Sequence, residues 1–275
     1  MNNKKIKFSV LMSIYIDEDE NCLNRSLDSI WKDQVLKPDE IVLVKDGPLS
    51  NDLNSCIDKW HKLLPNIIKI VSLKDNIGLG GALNYGLKEC TCDYVARMDA
   101  DDISTKDRFL LQHNFLSENS EIDVVGSNII EFDPISKKKT GKRILPEGHN
   151  EIIKFAKYRN PINHPSVMYR RESVLSVGGY KHFHGLEDYY LWVRMLKNGK
   201  IFYNLQENLV EMSAGLNQSK RRGGFNYAKH EINFFLMLFK LDFINILDLF
   251  LNIIVRVPLR LLPNQFRNLF YLTRQ

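Results

Sequence analysis

Apolar and polar positions along the first hundred residues switch repeatedly between two periods. Phe8–Tyr15 is an almost unbroken β-rich apolar run, the pattern of a strand covered on both faces. Leu23, Leu27, Ile30 and Trp31 then recur at helical spacing within Glu20–Gln34. The cycle continues with a strand over Ile41–Lys45, a helix over Asp52–Leu64, a strand over Ile67–Leu73, a helix over Gly80–Cys90 and a strand over Tyr94–Met98. Strands separated by helices of about 10–15 residues predict right-handed βαβ units in a mostly parallel central sheet flanked by helices. After Asp102 the rhythm changes. A helix over Lys106–Glu118 leads to Asp123–Phe132, then to a basic hairpin or exposed loop at Ser136–Arg143. Helical spacing returns at Glu151–Tyr158 and Glu187–Lys197.

The end of the chain reads differently. Phe234–Val255 is rich in Phe, Leu and Ile, yet Lys240, Asp242, Asn245, Asp248 and Asn252 interrupt it, and Pro258 and Pro263 divide the basic, apolar stretch beyond. Charges spaced through a large apolar face predict amphipathic helices that lie in a membrane interface or pack on the preceding domain. The net charge of +5 is concentrated there: from Ser213 onward nine Lys/Arg stand against three acids, which leaves the first 212 residues near −1. That asymmetry points to an anionic surface at the tail and away from a nucleic-acid-binding core. No apolar run is long enough to span a bilayer. With 44% apolar and 26% charged residues, wholesale disorder is excluded. Cys22, Cys56, Cys90 and Cys92 form no C-x-x-C pair and have no histidine at zinc spacing, as for thiols in a reducing compartment. A cytoplasmic protein, peripherally attached to the inner face of a membrane, is expected.

The fourth strand ends in Asp99-Ala-Asp101-Asp102. Three carboxylates within four residues repel one another unless water or a cation surrounds them. A position at the carboxyl end of a parallel strand is where open α/β sheets bind ligands. The group is therefore either a solvated turn capping the next helix, or a site for Mg²⁺ or Mn²⁺ carrying a phosphorylated substrate. Four other features stand in order around it. They are Ser13-Ile-Tyr15 and Val44-Lys-Asp46-Gly47 at strand ends, the glycine-rich Asp75-Asn76-Ile-Gly78-Leu-Gly80-Gly81-Ala82-Leu-Asn84-Tyr-Gly86, and Gly185-Leu-Glu187-Asp188-Tyr-Tyr-Leu191-Trp192. The glycine loop is not a dinucleotide fingerprint, because its third glycine is missing and it comes after the third strand instead of the first.

This ordered series, over about residues 8–225, resembles the family 2 glycosyltransferases, in particular those that build bacterial O-antigen, capsule and exopolysaccharide repeats. The resemblance implies a GT-A type nucleotide-sugar transferase fold. Residues 1–225 would form the catalytic domain, with a nucleotide-binding half at about 1–102 and an acceptor half at 103–225; residues 226–275 would form the basic amphipathic helical region. It further implies an inverting transferase that moves a hexose from a UDP-sugar to a polyprenyl-diphosphate-linked saccharide, forming a β-linkage with Mn²⁺ or Mg²⁺.

Residue by residue, the resemblance makes Asp46 the acceptor of the uracil imide proton, a charge-assisted bond contributing roughly 1.5–3 kcal/mol. Tyr15 would stack on the base or pack in the core. Asn76, Gly78 and Gly80 would let the backbone approach the diphosphate at a helix N-terminus. Asp101 would be the principal metal ligand, with Asp99 on ribose or metal, and Asp102 assisting or capping the next helix. Asp188 would be the general base. Glu187 would orient the acceptor or the base, or simply sit in the favourable field of its helix N-terminus. Trp192 packs under the site or stacks on a sugar, and His164 serves the acceptor site or the structure. Arg221 and Arg222 close over the diphosphate or face a membrane. The family's arginine just before the second Asn is Leu83 here, so Arg97 takes over that nucleotide contact or pairs with the carboxylates.

Two other classes remain. A sugar-phosphate nucleotidyltransferase would need a glycine- and arginine-rich loop where Asp17-Glu-Asp-Glu20 stands. A non-catalytic nucleotide-sugar binding or scaffold protein would have no need of Asp101 and Asp188 together.

Overall fold

The computed structural model describes residues 6–183, 185–214 and 223–262. Its first half is the expected alternation: β1 (Phe8–Ile14), α1 (Glu20–Ile30), β2 (Glu40–Lys45), α2 (Asn51–Leu63), β3 (Ile68–Ser72), α3 (Leu79–Glu89) and β4 (Tyr94–Arg97). The two-residue period of β1 divides its side chains between two layers. Val10, Met12 and Ile14 pack with Leu23, Leu27, Ile30 and Ile57 of α1 and α2. Leu11 joins Val42, Val44 and the Ala82, Leu83 and Leu87 face of α3 on the other side. Burial on both faces is why these strands read as continuous apolar runs. Within the acidic stretch before α1, the Asp19 carboxylate accepts the amides of Asn21 and Cys22 at 3.0 and 2.9 Å. It is a helix cap.

The second half comprises β5 (Ile103–Ser104), α4 (Arg108–Glu118), β6 (Val124–Phe132), β7 (Lys139–Arg143), α5 (His149–Ala156), a 3₁₀ turn at His164–Ser166, β8 (Met168–Arg170), α6 (Arg171–Ser176), α7 (Glu187–Lys197) and β9 (Phe202–Ser213). The nine-stranded sheet has the order β3-β2-β1-β4-β8-β6-β9-β5, with β7 paired to β6. The parallel pairs of the expected mostly parallel sheet lie within β1–β4 and between β6 and β9. β8 runs antiparallel to both β4 and β6, and β5 antiparallel to β9. The sheet is therefore mixed, with the short strands β5 and β8 entering antiparallel to their neighbours. Strand order reverses at β1, whose neighbours are β2 and β4, and this switch point gathers the carboxyl ends of three strands at one edge.

Two further helices, α8 (Phe225–Lys240) and α9 (Ile246–Leu261), end the described chain. Phe234, Phe235, Leu238, Ile244 and Leu249 pack on Tyr189 and Val193 of α7. Between the two helices, buried Glu231 accepts both Arg256 and Arg260. The opposite face of α9 is bare, with Ile246, Leu247, Phe250, Leu251, Ile254 and Val255 exposed. α9 passes through Pro258 to Leu261 instead of stopping there; near the end of the helix, proline removes one amide donor without breaking the preceding turns. Pro263 lies outside the described residues. Among the described residues, no helix is long and apolar enough to cross a membrane.

Candidate active site

The sheet edge at β1, β2 and β4 carries the sequence candidates. Half-buried Tyr15 follows β1. Asp46, at the end of β2, is buried and accepts the Ile77 amide through Oδ1 at 2.8 Å. Gly47 beside it has φ +86°, and a Cβ there would stand 2.7 Å from the Asn76 amide nitrogen. Only glycine lets the β2 end meet the 75–78 loop so closely. Gly78 begins α3 without a side-chain cap, so the first-turn amides of that helix are available to an anion. Gly80 has a second role. A Cβ at this position would lie 3.2 Å from Glu187 Cγ, so the missing side chain brings the glycine loop against the first turn of α7.

The three aspartates after β4 have donor oxygens all within 4.8 Å of one another. Their environments differ. Asp99 is partly exposed and paired with buried Arg97. Burial, then the charge of Asp99, raises Asp101 above the ordinary carboxylate range, against a hydrogen bond from the Ser213 hydroxyl. Asp102 is buried, accepts the Ser213 amide through Oδ1 at 2.8 Å, and is raised well above that range by burial and its two neighbours. Its Oδ2 has no hydrogen-bond partner among the described residues. Asp102 is thus no cap for α4, whose first flanking residue is Asp107, and it is shielded from solvent, whereas Asp99 and Asp101 are only partly buried. Three crowded carboxylates, one of them with an orphaned buried oxygen, fit a hard divalent cation, which would relieve their mutual repulsion.

Arg97 is only 2% exposed, with Nη2 on Asp99 and neither Nε nor Nη1 hydrogen-bonded among the described residues. It supports the acidic cluster from beneath. Close by, partly buried His164 contacts the Tyr180 hydroxyl through Nε2 at 2.9 Å. Burial and then the Arg97 charge hold its imidazole neutral, well below the usual range. The Tyr180 hydroxyl is itself raised by burial and feels both Asp99 and Asp188, so it stands between the cluster and α7. Asn84 fixes it there, donating to the Tyr180 carbonyl at 2.5 Å and accepting its amide at 2.7 Å.

Asp188 and Glu187 occupy the first turn of α7, where the helix field favours carboxylates. Asp188 Oδ2 accepts from Asn160 Nδ2 at 2.6 Å. Trp192 is fully buried among His164, Tyr169 and Phe202, so it packs under the site and does not stack on a sugar. The structure therefore brings together Gly80 with Glu187, Asp46 with the 76–78 loop, and Arg97 with Asp99. Arg221 and Arg222 lie outside the described residues. Sequence reasoning missed Tyr180 and Asn160, and gave Asn84 no task; their partners are 16 to 96 residues away, so no local pattern announces them. The four cysteines are unpaired, and burial pushes the Cys90 thiol up to about 12.

Residues 9–178 match the sequence profile of "Glycosyl transferase family 2". Over 98% of this chain and 97% of the other, the sequence is 39% identical to an Escherichia coli protein named UDP-Gal:alpha-D-GlcNAc-diphosphoundecaprenol beta-1,3-galactosyltransferase. It is 38% identical to the amylovoran biosynthesis glycosyltransferase AmsE of Erwinia amylovora, over 96% of this chain and 97% of that one. Among solved structures, a Pyrobaculum calidifontis mannosyltransferase in complex with GDP-Man and Mn²⁺ superposes with a TM-score of 0.61 at 17% identity, covering 83% of this chain and 62% of that chain. The S. aureus TarS fragment in complex with UDP-GlcNAc gives 0.61 at 18% identity, covering 82% and 65%. These structural likenesses speak to the fold alone. By profile and by end-to-end similarity, the chain is a member of glycosyltransferase family 2.

Proposed function

We propose that the protein is an inverting hexosyltransferase that moves a sugar from a UDP-hexose to a hydroxyl of a polyprenyl-diphosphate-linked saccharide in bacterial surface polysaccharide synthesis. The observation that carries this reading is the crowded Asp99–Asp102 cluster at the sheet edge, together with the glycine loop packed on Tyr180 and on Glu187 at the start of α7. The nearly full-length similarity to the E. coli galactosyltransferase supports the donor and acceptor classes. Residues 1–225 act as the catalytic unit, with the donor on 1–102 and the acceptor on 103–225.

In this mechanism, Asp46 accepts the uracil imide, held in orientation by the Ile77 amide, and Tyr15 stacks on the base. Asn76, Gly78 and the open N-terminus of α3 receive the diphosphate. Arg97 keeps Asp99 turned toward the ribose and cation; Arg221 and Arg222 close over the donor. Asp101 with Asp99 holds Mn²⁺ or Mg²⁺, which when bound neutralises charge developing on the leaving nucleoside diphosphate. Asp188 takes the proton of the acceptor hydroxyl, with Glu187 orienting that hydroxyl. The hydroxyl oxygen bonds to the anomeric carbon as the bond to the diphosphate oxygen breaks, and UDP leaves with that electron pair. One displacement inverts the centre, so an α-linked donor gives a β-linkage.

Residues 226–275 bind the inner face of the membrane. The exposed apolar face of α9 supports this, since six large side chains on one helix side match an interfacial helix whose other side is already packed on α7.

The test is incubation with UDP-galactose, UDP-glucose and their N-acetyl forms, Mn²⁺, and a polyprenyl-diphosphate-linked N-acetylglucosamine, then NMR of the product. A β-linked disaccharide is expected. An α-linked product would refute the single displacement. Folded protein that neither transfers nor hydrolyses any of these donors would return the reading to a binding or scaffold role.

A further inference from the structure

The segment between α5 and the 164–166 turn is gripped from two sides. On one side stands α9. The Tyr158 hydroxyl donates to Asp248 Oδ1 at 2.5 Å, and Lys157 Nζ lies 3.4 Å from Asp248 Oδ2. Asn252 donates to the Lys157 carbonyl at 3.0 Å, and Arg256 to the Tyr158 carbonyl at 2.8 Å. On the other side the same segment reaches α7, where Asn160 Nδ2 donates to Asp188 Oδ2 at 2.6 Å. The Asn160 carbonyl oxygen faces back into its own loop, 3.4 Å from the Ile162 amide, and this fixes which end of the amide points at the carboxylate.

We propose that Asn160 is a positioning residue for Asp188, and that α9, through Asp248, Asn252 and Arg256, holds the segment that carries it. This rests on Asp188 being the base. A carboxylate in the first turn of a helix can swing about two side-chain torsions, and a base must meet the acceptor proton within hydrogen-bond reach. A donor on one oxygen fixes the carboxylate plane and favours its ionised form. The C-terminal helical pair then has two working faces. Its outer side is bare and apolar, and its inner side holds the loop that orients the base.

The experiment compares Asn160→Ala, Asn160→Asp, Tyr158→Phe and Asp188→Asn in the full-length protein. Readouts are steady-state transfer with pH profiles, UDP titration and thermal melts. Asn160→Ala is expected to lower kcat by about tenfold to a hundredfold, the size of an angstrom-scale misplacement. Its UDP affinity and melting temperature should match the parent, and the acid limb of its rate profile should move to higher pH. Asn160→Asp keeps the Ile162 contact but turns an acceptor toward Asp188, so both its rate loss and its shift should be larger. Tyr158→Phe should lower kcat severalfold with no change in UDP affinity.

An Asn160→Ala enzyme within twofold of the parent kcat would overturn the proposal. So would a loss of rate matched by equal losses of UDP affinity and thermal stability, since that is what a merely structural asparagine would give. Asp188→Asn keeps the two failures apart. If it retains substantial turnover, the assignment of the base has fallen and the proposal with it. If it is inactive while Asn160→Ala is normal, only the role of Asn160 has fallen.

Discussion

Asp101→Asn separates the stability of the acidic cluster from its use. Donor oxygens within 4.8 Å of one another repel by about 3.5 kcal/mol per fully ionised pair at an effective dielectric of about 20. Arg97 offsets part of this at Asp99, while burial, then the charge of Asp99, raises Asp101 and Asp102 above the ordinary carboxylate range. Removing one charge while keeping the shape, and a side chain that can still meet the Ser213 hydroxyl, should therefore stabilise the metal-free protein by about 1–3 kcal/mol. Linkage gives the sign. A carboxylate raised in the folded state contributes stability below its unfolded range, and that contribution is lost as pH rises through the folded value. The advantage of Asp101→Asn should be smallest near about pH 4.5 and largest near about pH 8. Divalent cation should reverse the order, because binding to the native parent at a hundredfold excess over Kd adds about 2.7 kcal/mol that the variant forgoes. The assay is urea denaturation monitored by circular dichroism, in chelator and in Mn²⁺, at both pH values. A variant less stable than the parent in chelator at the higher pH would refute the reasoning, as would equal stabilisation of both proteins by Mn²⁺.

Gly47→Ala must hold φ +86° with a Cβ 2.7 Å from the Asn76 nitrogen; it should cost roughly 1–3 kcal/mol and weaken UDP binding at least tenfold by calorimetry. Glu231 is opposed by burial, yet Arg260 and Arg256 hold it below the usual carboxylate range. Stability from this group is present above that range and lost as pH falls through the lowered value. Glu231→Gln, which strands two arginines, should cost about 3–5 kcal/mol in denaturant titrations at neutral pH. Leu247 and Phe250 are 69% and 61% exposed, so changing both to Asp should move stability by only about 0.5 kcal/mol per site while abolishing sedimentation with anionic vesicles.

The parallel half of the sheet was legible because burial on both faces writes itself into β1, β2 and β4 as apolar runs, with α1 and α3 between them at helical spacing. The candidate donor site was legible for the same reason. Asp46 and Asp99–Asp102 end those runs, and a strand end has a known place on such a sheet. The second half of the sheet was not. β5 has two residues and β8 three, too few to show a period, and their antiparallel entry made the sheet mixed. Whether Asp102 assists at the cluster or caps the next helix is open until β9 folds back to place the Ser213 amide, 111 residues away, against it. Asn160 meets Asp188 across 28 residues, and Asn84 meets Tyr180 across 96. Helix α9 shows apolar residues all along, but only the packed structure divides them into a face against α7 and a face left bare. Local periodicity records whether a residue is buried. Which residue it meets is decided by the topology of the whole chain, and the pairings of Asp188 with Asn160 and of Asp102 with Ser213 both depend on that.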